Sequence, residues 1–252
     1  MKLQIESQII SNYLPFNYQS LVVSLIKKAL SDEDLAYFEE IYPKKGKPKT
    51  KSFTFSSLIT NFEIEGSGAD AKITGDKFIT EISTIDMKFA IILYNGLIKM
   101  MHKDFVYKGG AIRIFKISRK TESQITSDTV EFRTLSPIYL KKKINRKDSP
   151  VDTDDLISYV SILNYISNIS LKELRGFGLR KELEFMPLEY KKVVSQQKYS
   201  SQNENLKSLY KNVYKGSFVL RGDADDLRDL YNIGIGFSRG VGFGNIEVVR
   251  CF

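Results

Sequence analysis

The sequence predicts an α+β protein in which one βαββαβ plan is used twice. Three observations carry this reading. Short alternating apolar stretches flank apolar runs at helical spacing. The order strand, helix, strand, strand, helix, strand occurs once before Ser118 and again after Asp128. The stretch between those two residues is polar and breaks both periodicities.

Taken in order, Met1 to Ile10 alternates with Leu3, Ile5 and Ile9 as apolar members, a short strand. Leu21, Val22, Leu25, Ile26, Ala29 and Leu30 recur at helical spacing, which leaves Lys27 and Lys28 off the apolar stripe and open to a ligand. A second short helix, about Glu33 to Ile41, is expected after the capping signal of Ser31 and Asp32 and before Pro43 and Gly46. Phe53 to Phe62 and Lys77 to Ile85 read as strands around a Gly66/Gly68 turn, Asp86 to Met101 as a helix, and Ala111 to Ile117 as a strand. The second pass has a strand at Thr129 to Leu140, a helix at about Thr153 to Ile169, strands near Leu183 to Val194 and Tyr214 to Arg221, a short acidic-capped helix at Asp223 to Asn232, and a closing strand at Gly244 to Cys251. Antiparallel sheets with helices on one face follow, so the expected architecture is two tandem ferredoxin-like, RRM-like domains at residues 1–122 and 127–252.

Composition narrows the chemistry. Lys and Arg number 38 against 30 Asp and Glu, a net charge of +8 that points to a phosphate-rich partner. Two lysine clusters concentrate that charge, one at Lys44, Lys45, Lys47, Lys49 and Lys51 and one at Lys141, Lys142, Lys143, Arg146 and Lys147. Each is also what a solvated loop looks like. The one cysteine, Cys251, permits no internal disulfide, and with one histidine it cannot complete a zinc site of three or four ligands, so no metal and no cofactor are expected. The opening MKLQIESQIISNY lacks the unbroken apolar stretch of a signal peptide, and no run approaches the ~20 apolar residues of a membrane span, so a cytoplasmic protein without membrane contact is expected.

The densest motif is GIGFSRGVGFG, which places Gly234, Gly236, Gly240, Gly242 and Gly244 within eleven residues with Arg239 in the middle. Glycine at this density is costly in backbone entropy, so the loop requires positive φ or the close approach of another backbone. A dinucleotide fingerprint is a poor match, because a helix precedes this loop and a strand follows it. RGVGFGNIEV matches the aromatic signature of an RNA-recognition motif only in part, and on the last strand instead of the third. A tight turn without a ligand is the bland alternative.

GIGFSRGVGFG resembles the signature loop of the RAMP superfamily of CRISPR-associated proteins, specifically its precursor-CRISPR-RNA-processing endoribonucleases. LPFNYQSLVVSLI at 14–26 resembles the start of that family's first helix, KSFTFSSL at 51–58 its second strand, and TLSPI at 134–138 the start of its second half. The resemblance implies two ferredoxin-like domains and metal-free cleavage of repeat RNA, in which a 2′-hydroxyl attacks the adjacent phosphate to leave a 2′,3′-cyclic phosphate and a 5′-hydroxyl. It implies CRISPR repeat RNA as partner and leaves open a place in an effector complex, a homodimer, and a non-catalytic RNA-binding subunit.

Residue by residue, the resemblance implies a catalytic lysine before the second strand, which is Lys51, and a tyrosine on the first helix, where Lys27 stands beside Lys28. Where a histidine is implied, AYFEEIY offers Glu39 or Glu40, with Tyr37 and Tyr42 nearby. His102, in MMHKDF, falls elsewhere in the pattern and reads as an exposed residue at a helix end. The expected catalytic set is therefore Lys27, Lys28, Lys51, Tyr42 and Arg239, and the expected RNA-binding set is Gly234, Gly236, Gly242, Gly244, Arg133, Lys141, Lys142 and Lys143. Asp225 and Asp226 are expected to face solvent, and Phe53, Phe55, Tyr210 and Tyr214 mostly to pack in cores.

Overall fold

The computed structural model describes the chain except residues 45–48, 67–70, 146 and 201–205, and of residues 196–200 and 206–209 it describes the backbone alone. Lys45, Lys47, Gly68 and Arg146 thus lie outside the described residues. The chain divides into two compact units, one of Met1–Lys51, Ser57–Thr121 and Gln196–Leu209, the other of Ser52–Ser56, Glu122–Ser195 and Tyr210–Phe252.

The first unit runs β1 (Lys2–Ile9), β2 (Leu14–Pro15), α1 (Gln19–Glu33), α2 (Leu35–Ile41), β3 (Phe53–Ile59, of which residues 53–56 count with the second unit), β4 (Glu63–Glu65), β5 (Lys72–Thr74), β6 (Lys77–Thr84), α3 (Met87–Met100), β7 (Asp104–Tyr107) and β8 (Gly110–Lys120). Its main sheet has the order β3-β6-β1-β8-β7, and β2-β5-β4 form a small second sheet. Central β1 pairs antiparallel with β6 and β8, which sets Leu3 opposite Ile82 and Ile5 opposite Thr80 on one face. The α1 stripe read from the sequence is the buried one: Leu21, Val22, Leu25, Ile26, Ala29 and Leu30 are all buried. Gly96 makes this packing possible, since a Cβ there would lie 2.1 Å from the Ala29 carbonyl oxygen of α1. The close helix crossing turns Lys27 and Lys28 outward.

The second unit runs β9 (Thr129–Thr134), β10 (Lys141–Ile144), β11 (Lys147–Pro150), α4 (Leu156–Arg175), β12 (Glu184–Ser200), β13 (Leu206–Arg221), α5 (Ala224–Ile233) and β14 (Ile246–Cys251). Its sheet order, β12-β13-β9-β14, repeats in the same relative sequence the β3-β6-β1-β8 order of the first. Each unit is therefore ferredoxin-like, with second, third, first and fourth strands side by side.

Several elements differ from expectation. The second helix is capped by Asp34, whose carboxylate accepts the Tyr37 N–H at 2.9 Å; Ser31 and Asp32 belong to the last turn of α1. β9 stops at Thr134, because Leu135 and Ser136 turn their N–H groups to the Asn245 carbonyl. The lysine-rich segment at 141–150 is a hairpin, β10-β11, in place of a loop. Asp226 is fully buried, its carboxylate taking Arg175 at 2.5 Å and Arg180 at 2.6 Å, so only Asp225 of the acidic pair is exposed. Burial alone would raise the Asp226 pKa, but the arginine bonds hold it below the usual carboxylate range. Phe53, Phe55 and Tyr214 are buried, whereas Tyr210 is exposed.

Candidate functional site

Within the first unit, α1, α2 and the segment before β3 bring Lys27, Tyr42 and Lys51 together. Tyr42 caps the C-terminus of α2 and stacks near Phe38, with ring centroids 5.4 Å apart. The Lys51 amine sits 4.1 Å and the Lys27 amine 4.8 Å from the centroid of the Tyr42 ring. Both distances are within cation–π range. Lys51 also donates to the Ile41 carbonyl. Burial against the ring, then the charges of Lys27 and Lys49, lower the Lys51 pKa from 10.5 to about 8. That value makes the amine able to take or give a proton near neutral pH, the requirement for general acid–base work.

Tyr42 was expected to act directly. Its hydroxyl oxygen is buried and accepts or donates no hydrogen bond within the described structure, and burial pushes its pKa up. What the Tyr42 side chain offers the two amines is the face of its ring. Lys28 is not in the cluster: its amine is engaged by Asp32 one turn on, at 2.6 Å. Glu39 and Glu40, at the implied histidine position, pair with Lys44 at 2.9 Å and Lys49 at 3.4 Å. His102 has left-handed φ (62°) just before β7, and β7 and β3 are opposite edges of the main sheet, about 19 Å apart at four strand spacings.

In the second unit the glycine loop closes on its own chain. Gly234, Gly236, Gly242 and Gly244 all have positive φ, and all four are buried. A Cβ on Gly244 would lie 1.9 Å from the Ile235 carbonyl oxygen, and one on Gly236 2.8 Å from that of Tyr139. Gly244 donates its N–H to Pro137 O, Phe237 to Tyr139 O, and Asn245 to Ser136 Oγ. From β3, Thr54 donates its hydroxyl to Phe243 O at 2.8 Å, and Ser56 Oγ accepts from Asn245 at 3.0 Å. Three of the four resembling segments, KSFTFSSL, TLSPI and the loop, thus meet at one hydrogen-bonded junction. At Gly234, Gly236 and Gly244 an added Cβ would lie within 3 Å of neighbouring atoms, so at these three it is the missing Cβ that lets the chain close on itself.

Arg239, in the expected catalytic set, is likewise enclosed. It lies in a 3-10 turn, is 6% exposed, and donates to Ser170 Oγ of α4 at 2.7 Å, with burial lowering its pKa to about 10. A guanidinium so enclosed braces the loop from inside. The remaining expected RNA-binding residues are at the surface: Arg133 on β9 pairs with Glu247 at 2.6 Å, Lys141 with Asp148 at 2.5 Å, Lys142 with Asp155 at 3.6 Å, and Lys143 is exposed on β10. Among the described residues no group of three or more His, Cys, Asp or Glu is placed to hold a metal, and no helix is long and apolar enough to cross a membrane.

Two ferredoxin-like units with a glycine-rich loop before the last strand define a protein of the RAMP type. Residues 119–248, more than half of the chain, match the family model of the C-terminal part of CRISPR associated protein Cas6, and the chain belongs to that family of CRISPR RNA-processing endoribonucleases. Solved structures share the fold. A RAMP protein binding different RNA substrates is 17% identical with a TM-score of 0.76, over 99% of this chain and 100% of that one. A CRISPR associated protein Cas6 is 20% identical with a TM-score of 0.74, over 99% of each chain. The product of a Cas6-related gene from Pyrococcus furiosus is 18% identical with a TM-score of 0.78, over 99% of this chain and 98% of that one. No curated protein matches in sequence.

Proposed function

We propose that this chain binds CRISPR repeat RNA and cleaves the precursor within the repeat, without metal, at the Lys27–Tyr42–Lys51 cluster. The observation that carries this is the pair of amines on one ring, one of them brought to about 8. The neutral fraction of Lys51 takes the proton of the 2′-hydroxyl; the 2′-oxygen bonds to phosphorus as the bond to the 5′-oxygen breaks. Lys27 offsets the charge gathering on the phosphorane, and the leaving 5′-oxygen is protonated from a lysine ammonium or solvent. The products are a 2′,3′-cyclic phosphate and a 5′-hydroxyl.

A second reading, a RAMP subunit that binds RNA without cutting it, is favoured by the position of His102. The one imidazole of the chain stands across the sheet from Lys51, so the cluster lacks the base that the resemblance implies. The test is single-turnover cleavage of the repeat encoded beside the gene, in EDTA, with identification of the product ends. A cut RNA with a cyclic phosphate supports the enzyme; tight binding with no cut at any pH between 6 and 9.5 supports the subunit.

A further inference from the structure

In the first unit, α3 carries two apolar faces, and the fold covers one of them. Its sequence, MKFAIILYNGLIKM, has Lys88, Asn95 and Lys99 as its polar side chains. Phe89, Ala90, Leu93, Gly96 and Leu97 make the buried face, with Gly96 against Ala29 of α1. Met87, Ile91, Tyr94 and Ile98 make the other, and they remain 54%, 55%, 38% and 42% exposed. Steps of four, three and four residues keep these four side chains within about 60° of the helix circumference, in a stripe about 16 Å long. That is the spacing of a coiled-coil seam. A continuous apolar stripe on a protein of net charge +8 marks a surface that another polypeptide covers.

We infer that this stripe docks on the same stripe of a second copy of the chain, with the two α3 helices antiparallel across a two-fold axis. Steps of four, three and four read the same from either end. An antiparallel copy therefore sets Met87 opposite Ile98 and Ile91 opposite Tyr94, each pair twice, which is the self-complementarity a two-fold interface demands. Charge selects the same orientation. The N-terminal end of α3 is acidic: Asp86 caps it and accepts the Tyr37 hydroxyl at 2.9 Å, and Lys88 lies 4.6 Å from the centroid of the Tyr37 ring. Burial first, then the Asp86 bond and the charges of Asp86, Glu40 and Asp34, raise the Tyr37 pKa, which gathers three carboxylates around this end. The C-terminal end carries Lys99, paired with Glu33 at 2.6 Å, and Lys103, which donates to Lys99 O at 2.9 Å. Antiparallel packing brings each basic end to the acidic end of the copy, whereas parallel packing brings like to like. One face of a 14-residue helix is small for an interface, so the association is weak and depends on concentration.

The test is sedimentation velocity of the full chain, without RNA, between about 1 and 200 μM. The weight-average mass is expected to rise from one chain toward two across that range. Ile91→Glu and Tyr94→Lys, both at exposed positions, are each expected to weaken pairing by about 100-fold or more, since each would bury an unpaired charge in the seam. Mixed in equal amounts, the two variants are expected to pair again. Position 91 of one copy faces position 94 of the other, so the introduced carboxylate meets the introduced amine at one contact while Ile91 still meets Tyr94 at the second. A parallel arrangement sets position 91 against position 91 and gives no such recovery. Wild type that stays monomeric throughout overturns the inference and leaves the stripe to a different polypeptide. Pairing undiminished in the folded single variants overturns it by moving the contact to another surface, and a mixture that does not recover overturns the antiparallel register. Circular dichroism checks that each variant is folded; if one is not, the other single variant against wild type decides whether this stripe is the contact.

Discussion

At Lys51 the Tyr42 ring removes water from one side of the amine while Lys27 and Lys49 add positive charge nearby, and the pKa of about 8 follows from both. The folded value is below the unfolded 10.5, so the unfolded chain binds more protons between pH 8 and 10.5. The charged amine therefore costs stability below pH 8, and that cost disappears as pH rises to 10.5. Lys51→Met is expected to raise the melting temperature at pH 7, with the gain shrinking through that window, while cleavage falls by about 10²–10⁴-fold. If Lys51 is the base, the wild-type rate climbs with pH up to about 8 and then levels; a rate that falls through 8 assigns it the acid role. His102→Ala is expected to leave single-turnover cleavage within about twofold of wild type. Lys27 and Lys51, named from the resemblance, lie over one ring, whereas the burial of Arg239 and Asp226 was not legible. A charged residue in a sequence looks solvent-exposed, and what buries these two is Ser170 and Arg175, supplied from far along the chain.

Among elements, the strands and helices that alternate or repeat cleanly were legible, and the polar ones were not. β10-β11 reads as a lysine run because its pairing puts Lys142 opposite Ser149 and Lys143 opposite Asp148, with no apolar alternation to reveal it. β12 and β13 likewise continue into polar sequence that carries no strand signal. The glycine loop was legible as a backbone requirement but not as a self-contained junction, since its partners Thr54, Ser136 and Tyr139 are far away in sequence. A pair of substitutions separates conformational from steric demand. Gly176 caps α4 at φ 91° with nothing within 4 Å of an added Cβ, so Gly176→Ala should cost about 1 kcal/mol. Gly244→Ala adds to a similar φ penalty a Cβ 1.9 Å from the Ile235 carbonyl oxygen and should cost about 3 kcal/mol or more, read as the difference in denaturation midpoints. Equal costs at the two positions would mean that the junction yields easily.

At the scale of the whole chain, the βαββαβ repeat was legible because both halves obey the same periodicities, and the repeated strand order confirms it. The net charge of +8 was legible as well, but its availability was not, because ion pairs already occupy several of the cations counted. Both Nε and Nη2 of Arg133 donate to one Glu247 oxygen, at 2.8 and 2.6 Å, so an RNA phosphate gains Arg133 only by displacing that carboxylate. Lys143 is exposed on its hairpin opposite Asp148, whose carboxylate is bonded to Lys141, so among the described residues Lys143 has no ion pair to exchange. RNA affinity should therefore fall steeply with salt, and Lys143→Ala should reduce the slope of log K against log salt by about 0.7, more than Arg133→Ala does. Glu247→Gln should strengthen binding by releasing Arg133. These changes should be the same for repeat RNA and for unrelated RNA of equal length, because phosphate contacts carry no sequence information. Anisotropy titrations at four or more salt concentrations read both quantities. A flat salt dependence in wild type, or a Glu247→Gln variant that binds more weakly, would show that this sheet face does not meet the RNA backbone.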